Sequence, residues 1–99
     1  MIFLALQNTK LDGVIEIGRS ADEQALRADL ACSIFEDFLE SVASYDQTAE
    51  IERRIQSGVS ARRAVASVLG ARFQPRLHAY FQRVMPTIEI VRVPDEFQN

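Results

Sequence analysis

Residues 20–44 read SADEQALRADLACSIFEDFLESVAS, and this stretch decides the fold. Leu30, Ile34, Phe35, Phe38, Leu39 and Val42 recur at the 3.6-residue period and form one apolar stripe. Asp29, Ser33, Glu36, Asp37, Glu40 and Ser44 fill the other side. Such a stripe specifies an amphipathic helix with one face turned to a core. Ser20-Ala21-Asp22-Glu23 fits the capping-box pattern, so the helix is expected to start there and to run to about Ser44.

Upstream of this helix, Ile2-Phe3-Leu4-Ala5-Leu6 is short, apolar and free of Gly and Pro, the mark of a buried strand. Asp12-Gly13 signals a turn, and Val14-Ile15-Glu16-Ile17 reads as a second strand completing a hairpin. Downstream, a second helix is expected over roughly 47–56, with Ala49, Ile51 and Ile55 inward and Gly58 as the residue that ends it. Ser60 is the expected N-cap of a third helix with Ala61, Val65, Val68 and Leu69 inward and Gly70 just beyond it. Pro75 suits the first turn of a fourth, with Leu77, Tyr80, Phe81 and Val84 inward and Pro86 as its stop. Thr87 to Val93 is rich in β-branched residues and reads as a strand, after which the chain end is expected to fray. The order ββααααβ predicts an α+β fold: a small antiparallel sheet, made of the N-terminal hairpin and the C-terminal strand, packed against about four helices. A chain of 99 residues is expected to make a single domain, 1–99.

Composition narrows the class. Hydrophobic residues make up 47% of the chain, too many for a disordered protein, and its one Cys excludes a disulfide scaffold. No apolar run approaches the roughly 20 residues of a membrane span. The apolar start has no preceding basic residue and is too short for a signal peptide, so a soluble, cytoplasmic protein is expected.

Charge is unevenly spread. Residues 1–50 carry three basic against ten acidic side chains, and residues 51–99 carry eight Arg against four acids. A formal net charge of −3 therefore hides an acidic first half and a basic second half. From Arg53 to Ile88 there is no acidic residue, while Arg53, Arg54, Arg62, Arg63, Arg72, Arg76 and Arg83 all fall there. Arginine's planar fork suits carboxylate and phosphate partners. A solvated face explains the same residues equally well.

Two stretches match known motifs in part. Gly13 to Ser20 matches the spacing of a phosphate-binding P-loop with Arg19 in place of Lys, but Val-Ile-Glu-Ile is strand-forming and sets a carboxylate where phosphates would lie. Residues 62–84 resemble a helix-turn-helix. Arg62 to Gly70 matches its first helix and turn, and the resemblance implies that Arg76, His78, Ala79, Gln82 and Arg83 face a DNA groove, with Arg62 and Arg63 near phosphates. The second half departs from the pattern: a three-to-four-residue turn would set Pro75 inside the second helix and Arg76 at a buried position, whereas a start at Pro75 lengthens the turn.

Chemistry has few carriers. His78 and Cys32 are single, and Cys32 is expected to be a small core or boundary residue. Neither a cysteine–histidine dyad nor a zinc site is supported, so no metal, no cofactor and no enzymatic activity are expected. Glu36, Asp37 and Glu40 are the densest carboxylate group and read as a solvated acidic face that can also meet a partner. Tyr45 and Tyr80 read as boundary residues. The expected function is a non-enzymatic interaction protein that binds a protein or nucleoprotein partner through the acidic first helix and Arg53–Arg83. Phage or mobile-element inhibitors of host machinery, anti-CRISPR proteins among them, share this size and style, although no motif assigns the chain to such a family. The alternative is a small helix-turn-helix DNA-binding regulator using residues 62–84.

Overall fold

The computed structural model describes residues 1–94; Asp95 and Glu96, and the expected fraying of the chain end, lie outside the described residues. The elements are β1 (Ile2–Thr9), β2 (Gly13–Ser20), α1 (Glu23–Val42), α2 (Tyr45–Gln56), α3 (Ala61–Leu69), α4 (Phe73–Val84), a 3-10 turn (Met85–Thr87) and β3 (Ile88–Val93). The expected α+β order is observed, with one antiparallel sheet in the order β2-β1-β3. The two terminal strands are neighbours, Ala5 facing Ile90. No helix among the described residues is long and apolar enough to cross a membrane. The described residues form two compact units, Met1–Ser33 with the chain from Arg83 onward, and Ile34–Gln82.

In the first unit the sheet has one face set by Phe3 and Ala5 of β1 and by Ile88 and Ile90 of β3, since paired residues of antiparallel strands share a face. Leu26 and Leu30 from the start of α1 pack on that face, with Ala5 completely buried beneath them. Ile17 joins this core because β2 is bulged: Gly18 faces Ala5 and Glu16 faces Leu6, leaving Ile17 without an opposite number. Ile2, Leu4, Leu6, Val91 and Val93 point to the other face and belong to neither core. At the hairpin tip Thr9 Oγ1 donates to the Gly13 carbonyl at 2.8 Å and accepts from the Asp12 N–H at 3.0 Å. Gly13 takes φ +69°, a left-handed geometry that glycine adopts without strain. The stretch that matched a P-loop is thus the second hairpin strand.

The helix start differs from expectation. Ser20 is still paired with Phe3, so it is held in the strand and cannot cap a helix that begins at Glu23. Asp22 does so instead, its Oδ1 accepting from the N–H groups of Gln24 at 2.9 Å and Ala25 at 3.4 Å. Glu23 reaches forward to Arg27 at 3.0 Å rather than back to Ser20. A complete capping box forms at the next helix: Gln47 N–H donates to Ser44 Oγ at 3.2 Å and Ser44 N–H donates to Gln47 Oε1 at 2.9 Å. That cap starts α2 at Tyr45, two residues before the expected position, and closes α1 at Val42.

The second unit is built on Phe38, Leu39, Ile51, Ala64, Val65, Phe73 and Leu77. Leu39, Ile51 and Val65 are its largest fully enclosed side chains. Tyr80 lies against Phe38, ring centroids 5.7 Å apart and tilted by 46°. Ala49, expected inward, is exposed, because two residues separate it by about 200° from Ile51 on the helix. Cys32 is exposed for the same reason, two residues from both Leu30 and Ile34. Tyr45 is exposed as well.

Gly18 tests the first core. A Cβ there would meet Leu26 Cδ1 at 3.1 Å, so a side chain at this position makes Leu26 give way, and a branched one more so. Gly18→Val is expected to cost about 1–3 kcal/mol of unfolding free energy. Denaturant titration measures it, with Gly18→Ala expected to lose less because the Leu26 methyl can yield.

Candidate interaction surface

Three features of the chain set out the α3–α4 surface. Ser60 Oγ accepts from the Arg63 N–H at 3.3 Å and starts α3. Gly70, at φ +112°, ends it, donating its N–H to the Ala66 carbonyl at 3.0 Å. The chain then turns within Gly70, Ala71 and Arg72, closed by Phe73 N–H donating to Gly70 O and Gln74 N–H to Ala71 O, each at 3.1 Å.

The helix therefore begins at Phe73, not at Pro75, and the turn has the three residues of a helix-turn-helix. Pro75 sits inside the first turn, where the N–H that it lacks has no intrahelical acceptor. Arg76 is exposed, since the inward positions are Phe73, Leu77, Tyr80 and Phe81. Both objections raised by the sequence to a tight turn are removed by this two-residue shift. His78, Ala79, Gln82 and Arg83 are exposed too.

The seven arginines divide into groups. Arg53 and Arg54 are not available as a bare cationic pair. Arg53 donates to both carboxylate oxygens of Glu50, at 2.5 and 2.9 Å, and Arg54 Nε donates to Glu50 Oε1 at 2.9 Å. Arg62, Arg63, Arg72 and Arg76 have no carboxylate within ion-pair distance among the described residues. Arg83 lies in the last turn of α4, where a cation suits the helix dipole.

Arg62 and Arg63 open α3, and Arg72 and Arg76 flank the start of α4. Neither helix has an acidic residue in its first turn. A positive charge there opposes the helix dipole, by about 0.3–1 kcal/mol at an exposed site. Gln74 Nε2 donates to the Arg62 carbonyl at 3.2 Å, which ties the two helix starts together. Arg72 and Arg76 both lie over the Phe73 ring, their guanidinium carbons 5.2 and 5.0 Å from its centroid. Sequence reading missed this brace because Phe73 was assigned to the connection. The i, i+4 spacing of Arg72 and Arg76 around an aromatic was the signal available.

Glu36, Asp37 and Glu40 are exposed on α1, with Glu36 and Glu40 one turn apart. No cluster of three His, Cys, Asp or Glu side chains able to hold a metal occurs among the described residues. Cys32 and His78 are both exposed.

Glu50 carries a measurable signature. The hydrogen bonds from Arg53 and Arg54 lower its carboxyl from 4.5 to about 2. A carboxyl whose folded-state pKa is depressed stabilises the fold above its unfolded value and loses that contribution as pH falls toward the folded one. The Glu50 side-chain resonance is expected to titrate near pH 2 in NMR, and Arg53→Gln with Arg54→Gln should return its midpoint to the ordinary carboxylate range. Comparison of the chain with known protein families, with curated proteins and with solved structures gave no match.

Proposed function

We propose that this chain is a non-enzymatic interaction protein that engages a macromolecular partner, protein or nucleoprotein, through an arginine face on α3 and α4. The observation that supports it is the set of four arginines, Arg62, Arg63, Arg72 and Arg76, gathered at two adjoining helix starts with no internal counter-charge among the described residues. Their placement works against the helix dipoles, and an anionic partner relieves it. The acidic face of Glu36, Asp37 and Glu40 is the second charged surface in this reading. Charges of opposite sign on one small chain steer encounter and fix orientation.

The finer form of this reading is an inhibitor that occupies a host protein's charged patch in the cytoplasm, as phage and mobile-element products of the anti-CRISPR type do. What supports it is the chain's size together with its single His and single Cys. The second reading is a helix-turn-helix regulator. The three-residue turn favours it, as does the exposure of Arg76, His78, Ala79, Gln82 and Arg83 on α4.

Retention on immobilised heparin across a salt gradient tests the shared premise. Wild type is expected to be held at low salt, and the combined Arg62→Glu, Arg63→Glu, Arg72→Glu and Arg76→Glu variant to pass through with its helical circular dichroism intact. Glu50→Gln, which releases Arg53 and Arg54, should elute later than wild type. Unchanged elution of the fourfold variant, or passage of wild type at low salt, removes the reading. Sequence-selective binding of duplex DNA would move the assignment to the regulator.

A further inference from the structure

We infer that Arg72 and Arg76, braced on the Phe73 ring, form a clamp for the phosphodiester groups of a nucleic-acid strand. The inference rests on the reading of α3–α4 as the partner-binding face and names the anion that it takes.

The brace is a built arrangement. Phe73 is only 9% exposed and is anchored in the helical core with Ala64, Val65 and Leu77. Its ring cannot follow the side chains that rest on it. A guanidinium lying on an aromatic ring gains cation–π attraction and loses rotamer freedom before any ligand arrives. Less ordering then remains to be done on binding. With each guanidinium carbon about 5 Å from one centroid, the two lie within about 10 Å of each other. They repel, and among the described residues no carboxylate pairs with either. A strand of anions that accepts from these two forks relieves that repulsion.

One observation favours phosphodiester over the carboxylates of an acidic protein: uniform sign. The sequence has no acidic residue from Arg53 to Ile88, and Arg62 and Arg63 stand at the helix start that Gln74 ties to that of α4. A nucleic-acid backbone carries only negative charge.

The test is fluorescence anisotropy of the full chain with labelled oligo-dT and with a labelled duplex, from 50 to 200 mM salt, beside a labelled poly-glutamate. Wild type is expected to bind the oligonucleotides with a log–log salt dependence that becomes shallower by about 1.4 for the single strand and about 1.8 for the duplex in Arg72→Gln/Arg76→Gln, the loss of two phosphate contacts. Arg53→Gln/Arg54→Gln should leave the slope unchanged. Arg72→Lys/Arg76→Lys is expected to keep the slope and weaken affinity, because lysine retains the charge and not the stacked fork. Phe73→Leu, checked for an intact fold by thermal melt, should weaken affinity with every charge in place. An unchanged slope in the double Gln variant overturns the clamp. Binding of poly-glutamate without oligonucleotide overturns it too and leaves the interaction reading standing, whereas binding of neither removes both.

Discussion

One helix serves two hydrophobic cores, and the rest of the structure depends on it. Leu26 and Leu30, in the first turns of α1, close the sheet; Phe38 and Leu39, in its later turns, enter the helical core. Leu26 and Leu30 stand four residues apart, and Phe38 lies four after Ile34, the spacing that burial on one face of a helix requires. Burial of each large aliphatic side chain contributes about 1.5–3 kcal/mol, so neither core survives the loss of its share of α1 cheaply. The carboxylates of Glu36, Asp37 and Glu40 sit where they do because the opposite side of the same turns is committed inward.

This periodicity was legible before any coordinates. So were the hairpin, the terminal strand and the punctuation at Ser60 and Gly70, because each depends on residues a few positions apart. What the sequence concealed depends on partners distant in the chain. Ser20 satisfies the capping pattern perfectly well as a string; only its pairing with Phe3 disqualifies it. Leu26 escapes a stripe counted from Leu30, although it lies one turn earlier and is almost fully buried. At α4, proline is favoured at the first helical position, so Pro75 marks a start that leaves Phe73 in the turn and conceals the residue on which Arg72 and Arg76 rest. In the candidate surface all ten expected charged residues lie where solvent reaches them, Arg54 partly so. Their division into paired and unpaired was foreseeable only in part: Glu50 stands at i−3 from Arg53 and i−4 from Arg54, but it lies just ahead of the acid-free stretch and was counted with the acidic half.

Net charge is thus a poor guide to this molecule. A value of −3 describes no surface that a partner would meet. Local pairing decides which charges are addressable. Glu50 is shared by two arginines, Glu16 and Glu23 pair with Arg19 and Arg27, and the arginines at the starts of α3 and α4 remain without a carboxylate among the described residues. The proposal of an anionic partner follows from this remainder rather than from the arginine total.

The bulge in β2 has a consequence for how the molecule behaves when crowded. A three-stranded sheet exposes two edges, and every regular edge is a template on which another chain can add a strand. Between Ala5 and Leu6 the pairing of β2 slips by one residue, so its outer row of N–H and C=O groups falls out of step halfway along. A chain docking on that side finds no continuous ladder. β3 has no such slip, Ile2 to Gln7 matching Val93 to Ile88 without interruption. Its defence is shorter length and the charges of Glu89 and Arg92, one directed to each face. Among the described residues the two outer strands therefore differ as pairing templates: the register of β2 is interrupted, while β3 keeps a regular ladder that carries two opposite charges.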